Sequence, residues 1–260
     1  MGEPSVNRYK SIIERIFKER YKRGSTAVSF ERSDIESAAK ALGIMSPKNL
    51  GDLVYSLRYR VGMPESIEKT QPKGMEWIIV GRGRAKYEMQ LVKVNRIRPN
   101  PDLQAIKIPD ATPEIVAHNA LTDEQALLAK VRYNRLIDIF LGMAAYSLQN
   151  HLRTTVKGIG QIEIDEIYIG VDKHGRQYVI PVQAKGGSDQ LGSVQTTQDI
   201  HCCAEKFPGL ICRSISTQFL SDSQIALFEL TLQEDRLKIV EEKHYHLVPG
   251  DQITREEIDA

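Results

Sequence analysis

Two prolines near residue 100 constrain this chain more than any other feature. Pro99 and Pro101 lie in the stretch 98–102, where each fixes its own φ angle, lacks an amide donor and pushes the preceding residue out of the helical region. A second Pro-containing stretch follows at 109–113. We therefore predict a linker at residues 99–121, with one domain at 1–98 and another at 122–260.

The two sides of this boundary carry opposite net charge. Residues 1–100 hold 20 Lys and Arg against 11 Asp and Glu, whereas residues 101–260 hold 15 against 23. A basic domain joined to an acidic one suggests that the first contacts a polyanion and that the second gathers carboxylates for other work. A solvated basic face without any ligand is the alternative.

Length and composition exclude several classes of protein. A chain of 260 residues with 41% hydrophobic content can build two cores, which argues against a disordered or fibrous protein. No apolar run approaches the roughly 18 residues of a membrane-spanning helix, and the charged N-terminal segment does not resemble a signal peptide. The three cysteines form neither a disulfide framework nor a metal-binding pair. We expect a soluble protein of the cytoplasm without a membrane partner.

The basic domain has the pattern of three helices. Residues 8–21 repeat apolar side chains at helical spacing, and Ser33 with Glu36 forms a capping box that begins a second helix ending near Gly43. A third helix is predicted at 47–60. Its outward face is polar or cationic, as a helix that reads base edges and phosphates in the major groove requires. These outward residues are Lys48, Asn49, Asp52, Ser56 and Arg60.

A basic hairpin follows the helices. Residues 77–80 and 86–92 are typical of two strands, and the turn between them carries Arg82 and Arg84. Three helices followed by such a hairpin resemble the winged-helix family of DNA-binding domains. This resemblance implies that the helix 47–60 is the recognition helix, that Arg82 and Arg84 belong to the wing, and that the partner is double-stranded DNA. A purely structural role for the same elements is the alternative.

The acidic domain begins with a strong helical pattern, which we predict to run from Thr122 to about His151. Residues 161–169 then alternate like a strand, 172–175 form a turn, and 177–185 return as a largely buried strand. Gln183 and Lys185 stand two apart at the end of that strand and share one face. Asp165, on the neighbouring strand, can join them.

A carboxylate, an amide oxygen and an ammonium group at one place suit phosphodiester hydrolysis. Oxygen ligands favour Mg²⁺, and an amine beside the metal can orient or help to deprotonate the attacking water. An ordinary hairpin that ends in a surface Gln and Lys is the structural alternative.

The arrangement of residues 120–220 resembles the PD-(D/E)xK nuclease superfamily, with Gln183 in place of the usual acid, as in Mrr-type restriction nucleases. The resemblance implies an α/β (α+β) restriction-endonuclease-like domain with a mixed sheet flanked by helices, completed by strands at 210–219 and 225–230. It also implies that Asp165 binds Mg²⁺, that Gln183 takes the second ligand position, that the Ala184 carbonyl can ligate, and that Lys185 is the catalytic amine.

Neutral Gln183 removes one negative charge from such a metal site, so another acid is needed to compensate. Glu163 shares the strand face of Asp165, whereas Glu166 points to the opposite face unless a bulge intervenes. We prefer Glu163. In the helical stretch 193–199, Gln195 either helps to position metal or substrate or is an ordinary solvated residue.

The sequence thus predicts a magnesium-dependent DNA endonuclease, in the manner of a site-specific or modification-dependent restriction enzyme. Cutting both strands requires two active sites, so a homodimer is expected. A repair or junction nuclease is a competing expectation. A winged-helix regulator with an inactive, nuclease-like oligomerisation domain is another. A small-molecule enzyme lacks support, because no Gly-rich phosphate loop or nucleophile motif is present.

Overall fold

The computed structural model describes residues 7–45, 53–54, 57, 62–93, 96–119, 123–186, 191–221, 223–233 and 236–258. With about 32% helix and 41% strand, the mixed α/β class predicted from sequence is confirmed. The chain forms two compact units. Unit 1 comprises Met1–Val94 with Lys157–Gln161, and unit 2 comprises Asn95–Val156 with Ile162–Ala260.

Unit 1 combines helices with a small antiparallel sheet. Its described elements are α1 (Arg8–Arg20), β1 (Ala27–Glu31), α2 (Arg32–Ala41), α3 (Glu65–Glu68), β2 (Met75–Gly81) and β3 (Lys86–Lys93). The strands pair antiparallel in the order β1-β3-β2. The first helix and the hairpin are thereby confirmed. Strand β1 was not predicted, because its five residues lie between two helical patterns.

The core of unit 1 is built from the apolar faces of these elements. Ile12, Ile13 and Ile16 of α1 are buried, and Phe17 stacks on Tyr21 with ring centroids 4.5 Å apart. The side-chain oxygen of the preceding Asn7 accepts hydrogen bonds from the first turn of α1. Burial of this helical stripe is the main source of its stability.

Helix α2 begins earlier than predicted. Glu31, the last residue of β1, is its N-cap, and the Asp34 carboxylate accepts a hydrogen bond from the Glu31 amide at 2.7 Å. The predicted capping box of Ser33 and Glu36 is therefore replaced by one of Glu31 and Asp34. Most of the predicted third helix lies outside the described residues, but Leu53, Val54 and Leu57 are helical and buried.

Unit 2 is organised around a large mixed sheet. Its helices are α4 (Glu114–Asn119), α5 (Glu124–Tyr133), α6 (Leu136–Leu141), α7 (Ser193–Lys206) and α8 (Arg255–Ile258), with a 3-10 turn at Gly250–Gln252. Its strands are β4 (Arg96–Ile97), β5 (Ala105–Pro109), β6 (Ala144–Val156), β7 (Gly160–Val171), β8 (Gln177–Lys185), β9 (Leu191–Gly192), β10 (Ile211–Cys212), β11 (Ser214–Phe219), β12 (Gln224–Gln233) and β13 (Arg236–Val248).

Among the described residues, the sheet order is β5-β13-β12-β11-β8-β7-β6, and β10 also pairs with β8. Strand β8 runs parallel to β11 and antiparallel to β7. Short β4 and β9 form a separate pair. The predicted strands at 161–169, 177–185, 210–219 and 225–230 are confirmed by β7, β8, β10 with β11, and β12.

The prediction of one helix from Thr122 to His151 was wrong. Helix α5 ends at Tyr133, and Arg135 adopts a left-handed φ of 50°. Helix α6 ends at Leu141 and is followed by Gly142, which has a φ of 64°. The following residues form β6, which lies beside β7. Pairing with a neighbouring strand overrides the helical preference of this Ala- and Leu-containing segment.

The stretch predicted as a linker contains regular structure. Strand β5 pairs parallel with β13, from Ala105 opposite His244 to Pro109 opposite Val248. Residues 99–121 therefore do not form a separate connector, because a strand of the large sheet lies within them. The prolines of this stretch are incompatible with a helix, but proline is tolerated in a short strand at the edge of a sheet.

The two faces of the sheet are covered differently. On one face, Tyr178, Ile180 and Val182 of β8 belong to the same buried cluster as Leu127 and Val131 of α5. On the other face, β8 places Gln183 against α7. One face of β8 is thus an apolar core, whereas the end of its other face carries polar side chains.

Candidate functional site

The site lies where β7 and β8 end their pairing. The antiparallel ladder runs from Val171 opposite Gln177 to Glu166 opposite Val182, immediately before Asp165 and Gln183. There the Ala184 amide donates a hydrogen bond to Asp165 Oδ2 at 2.9 Å. The structure therefore brings Asp165 to the residues that the sequence placed at the end of β8.

Asp165 is a buried carboxyl group, 9% exposed. Burial raises its pKa to about 6, against the opposing effects of the Ala184 amide and the Lys185 ammonium. The negative charges of Glu124 and Glu163 raise it further. A carboxylate that is costly to ionise and close to other acids would be stabilised by a cation.

Lys185 is paired with an acid that sequence reasoning did not identify as a site residue. Lys185 Nζ lies 2.9 Å from Glu124 Oε1, and the Lys185 side chain is only 15% exposed. Glu124 is the first residue of α5, whose N-cap Asp123 accepts a hydrogen bond from the Ala126 amide. In the sequence, Glu124 was visible only as an acid at a predicted helix start. Such an acid usually serves to interact favourably with the helix dipole and does not by itself indicate a functional site.

Gln183 is held at both ends of its amide. Its Nε2 donates to Asp199 Oδ2 at 2.7 Å and to the Glu163 carbonyl oxygen at 3.3 Å. Its Oε1 accepts a hydrogen bond from Gln195 Nε2 at 2.5 Å. Gln195 therefore contacts a predicted site residue, as expected if it helps to position metal or substrate. Asp199 was not among the predicted site residues.

Asp199 is the most enclosed acid of this group, with 1% of its surface exposed. Burial raises its pKa well above the ordinary value, although the hydrogen bond from Gln183 acts in the opposite direction. Gln195 and Asp199 are four residues apart on α7, so they share one face of the helix. A polar helical pattern alone does not reveal which residues face the sheet.

The two candidate compensating acids are engaged elsewhere. Glu163 pairs with Arg153, with Oε2 3.2 Å from the Arg153 Nε, while its carbonyl oxygen accepts from Gln183. Glu166 is fully buried and pairs with Arg132 at 2.9 Å. The carboxylate that pairs with the predicted catalytic lysine is instead that of Glu124.

The oxygen donors at this place match the preference of Mg²⁺. They are the carboxylates of Asp165 and Glu124 and the amide oxygen of Gln183. Ligation by the Ala184 carbonyl stays a prediction, because the contact shown at Ala184 is made by its amide. No group of three or more His, Cys, Asp or Glu side chains within the described part of the chain is arranged to hold a metal ion. These oxygen donors are of the type that Mg²⁺ prefers, and Mg²⁺ binding here stays a prediction.

The predicted DNA-binding residues are only partly described. Lys48, Asn49, Asp52, Ser56 and Arg60 lie outside the described residues. Arg82 and Arg84 lie in the turn between β2 and β3 and are exposed. Arg82 pairs with Glu88, with 2.6 Å between Arg82 Nη2 and Glu88 Oε1, so its positive charge is partly offset.

Comparisons of the chain with protein-family models, with curated proteins and with solved structures found no match. Within the described residues, every helix is too short or too polar to cross a bilayer.

Proposed function

We propose that the protein is a magnesium-dependent DNA endonuclease that hydrolyses phosphodiester bonds. One observation carries this proposal: where the pairing of β7 with β8 ends, the amide of Ala184, between Gln183 and Lys185, donates to Asp165, and Lys185 pairs with the carboxylate of Glu124. The mixed sheet with helices agrees with the resemblance to PD-(D/E)xK nucleases. Site-specific or modification-dependent restriction, by a homodimer on double-stranded DNA, is the form of the activity that we favour.

The residues have separate roles in this proposal. Asp165 and Glu124 would hold Mg²⁺, with the Ala184 carbonyl and the Gln183 amide oxygen as neutral donors. Bound Mg²⁺ supplies positive charge that stabilises the charge developing on the phosphate. Lys185 would offset phosphate charge and orient the attacking water, and its pairing with Glu124 limits where its ammonium can lie.

In unit 1, a winged-helix arrangement is proposed for DNA binding. The order of helix, strand, helix and hairpin, with Arg82 and Arg84 at the hairpin turn, supports this assignment. Removal of either arginine should weaken binding to all DNA sequences and reduce its salt dependence, since phosphate contacts act without regard to sequence.

A regulator without nuclease activity is the second candidate. This candidate is favoured by the hydrogen bonds of the Gln183 amide. Its oxygen accepts a hydrogen bond from Gln195, and its nitrogen donates one to Asp199. A residue satisfied in this way can be a structural link between α7 and the sheet. DNA binding without cleavage would then be the function of the chain.

Incubation of the protein with DNA separates these candidates. Unmodified, methylated and branched duplexes are compared in Mg²⁺ and in EDTA, with products read as fragments on a denaturing gel. Discrete Mg²⁺-dependent fragments from linear duplexes support a restriction-type nuclease, and cleavage confined to branched DNA supports a junction nuclease. Intact DNA with retarded mobility in every condition would contradict the nuclease and favour the regulator.

A further inference from the structure

A tight reversal of the chain brings two cysteines together in unit 2. Helix α7 ends at Lys206, and the Phe207 amide donates to the Cys203 carbonyl oxygen at 2.9 Å. The Leu210 amide then donates to the Phe207 carbonyl oxygen, and strand β10 begins at the next residue. Cys203 on α7 and Cys212 on β10 therefore lie at the two ends of a short connection, and the two elements pack against each other.

The side chains of the two cysteines are in direct contact. The Cys203 thiol donates a hydrogen bond to the Cys212 sulfur. Cys203 is 1% exposed, whereas Cys212 is half-buried and can be reached from solvent. Strand pairing holds Cys212 in place opposite Val179 of β8. Two thiols that are fixed in contact by different elements, one of them accessible, can be joined by oxidation.

The hydrogen bond makes the two thiols chemically unequal. It lowers the pKa of Cys212 from its ordinary value of 9.0, although burial acts in the opposite direction. The same hydrogen bond, together with burial, raises the pKa of Cys203. Cys202, the third cysteine, is fully buried, and burial raises its pKa to about 11. Accessibility and a lowered pKa thus coincide at Cys212, where more of the reactive thiolate is present than at an ordinary cysteine.

We propose that Cys212 and Cys203 form a reversible dithiol–disulfide pair, in which Cys212 reacts first with hydrogen peroxide and Cys203 then closes the disulfide. This modification site is independent of the proposed nuclease activity. The disulfide would join α7 to β10, and α7 is the helix that contacts Gln183 through Gln195 and Asp199. Oxidation would therefore tie a helix of the candidate site to the strand beside it.

The reaction has two steps. The Cys212 thiolate attacks one oxygen of hydrogen peroxide, the O–O bond breaks, and the departing hydroxide takes up the proton that the thiol gave up, which leaves Cys212 as a sulfenic acid. The Cys203 sulfur then attacks the Cys212 sulfur, the S–O bond breaks, and the departing hydroxide takes the Cys203 proton. Two thiols are oxidised to one disulfide, one peroxide is reduced, and two water molecules are released.

The test treats the reduced full chain with a small excess of hydrogen peroxide and identifies the oxidised cysteines by mass spectrometry after alkylation in denaturant. Wild type should yield a cross-linked peptide that joins Cys203 to Cys212, with Cys202 still reduced. Dithiothreitol should remove the cross-link. Without peroxide, iodoacetamide should alkylate Cys212 at least about tenfold faster than Cys202 in the folded protein, because the thiolate is the nucleophile.

Three variants assign the roles. Cys202→Ala is the matched control, since Cys202 is adjacent to Cys203 and equally buried, and this variant should form the cross-link as wild type does. Cys203→Ala should stop at the Cys212 sulfenic acid, which dimedone traps. It should also react more slowly than wild type, because the activating hydrogen bond is gone. Cys212→Ala should leave Cys203 reduced.

Circular dichroism checks that each variant is folded. Absence of the cross-link between Cys203 and Cys212 in oxidised wild type, or a disulfide through Cys202 or between two chains in its place, overturns the pair. Equal alkylation rates of Cys212 and Cys202 overturn the order in which the thiols react. Both measurements use wild type, so they decide the proposal even where a variant does not fold.

Discussion

Lys185 Nζ and Glu124 Oε1 are 2.9 Å apart, although the two residues are 61 positions apart in the chain. The contact joins the end of β8 to the first turn of α5. The lysine side chain is 15% exposed and the glutamate 37%, so water is restricted at the ammonium group more than at the carboxylate. The predicted catalytic amine is thereby held beside Asp165.

Replacement of Lys185 by alanine should abolish most cleavage. Loss of a preorganised positive group at the phosphate is expected to lower the cleavage rate about a hundredfold or more. DNA affinity measured by mobility shift should change little, since most of the basic surface remains. Lys206→Ala is the matched control, because Lys206 also pairs with a glutamate but lies exposed near the end of α7. Equal cleavage by both variants would contradict the role of Lys185.

Replacement of Glu124 by glutamine tests the second carboxylate. The change keeps the shape of the side chain but removes its charge, so Mg²⁺ affinity should fall at least about tenfold. Calorimetric titration with Mg²⁺ measures the effect. Glu241→Gln is the control, because Glu241 pairs with Lys243 through partly exposed side chains on β13. Wild-type affinity in Glu124→Gln would remove Glu124 from the metal site.

The raised pKa of Asp165 predicts a particular pH dependence of stability. In the folded protein the Asp165 carboxyl group has a pKa of about 6, whereas in the unfolded chain it titrates near the ordinary value of 3.8. Between pH 4 and 6 the folded state therefore binds more protons than the unfolded state. The free energy of unfolding should decrease as pH rises through this range. The loss is about 3 kcal/mol at most, from 1.36 kcal/mol per pKa unit.

Urea denaturation in EDTA between pH 4 and 7 measures this slope. Asp165→Asn should flatten it and be more stable than wild type at pH 7, while Asp102→Asn, on the surface, should leave it unchanged. Asp199 adds a slope in the same direction, which remains in the variant. Added Mg²⁺ should stabilise wild type more at pH 7 than at pH 5, since it binds the ionised carboxylate. A slope of the same size in Asp165→Asn would refute this assignment.

The ion pair of Arg132 and Glu166 should be important for stability. Glu166 is fully buried, and its Oε1 accepts hydrogen bonds from Arg132 Nε at 2.9 Å and from Ser147 Oγ at 2.5 Å. Arg132→Met would leave a buried charge without its cation and should cost about 3 kcal/mol or more in the free energy of unfolding.

Arg135→Met is the control for this prediction, because Arg135 pairs with Asp138 through a side chain that is 63% exposed. Exposed pairs contribute about 0.2 to 1 kcal/mol. Urea denaturation of both variants, with Glu166→Gln to complete a double-mutant cycle with Arg132→Met, gives the comparison. Similar losses for the two arginine variants would show that burial of Glu166 does not decide the cost.

Gly81 allows a close approach of two backbone segments within unit 1. A Cβ atom at this position would overlap the carbonyl oxygen of Ile159. Gly81→Ala should therefore destabilise unit 1 by about 2 to 3 kcal/mol, the cost typical of overpacking. The fluorescence of Trp77, the single tryptophan of the chain, reports unfolding of this unit.

Gly24→Ala is the matched change, since a Cβ atom at 24 meets no neighbour and only its φ of 88° opposes alanine. It should cost about 1 kcal/mol. A smaller loss for Gly81→Ala than for Gly24→Ala would show that the Ile159 segment moves away readily.

Several elements could be predicted because their patterns are local. The apolar repeat of α1, the basic hairpin of β2 and β3, and the strands β7 and β8 all follow from spacing within 10 to 20 residues. Gln183 and Lys185 were found for the same reason, since strand geometry puts them on one face. The proximity of Asp165 could be predicted because one short turn joins its strand to β8. Strands β1 and β5 were missed because their pairing partners are distant in the chain. Strand β6 was missed because its residues continue a helical pattern, although its partner β7 follows directly.

The sequence by itself determined the mixed class, the β7–β8 hairpin and the alternation that aligns Asp165 with Gln183 and Lys185. Only the tertiary structure decided that Glu124 reaches Lys185, that Asp199 holds Gln183, and that β6 is a strand. The physical reason is range: periodicity records which face of an element is apolar, whereas a polar contact between distant elements depends on how the whole sheet is assembled.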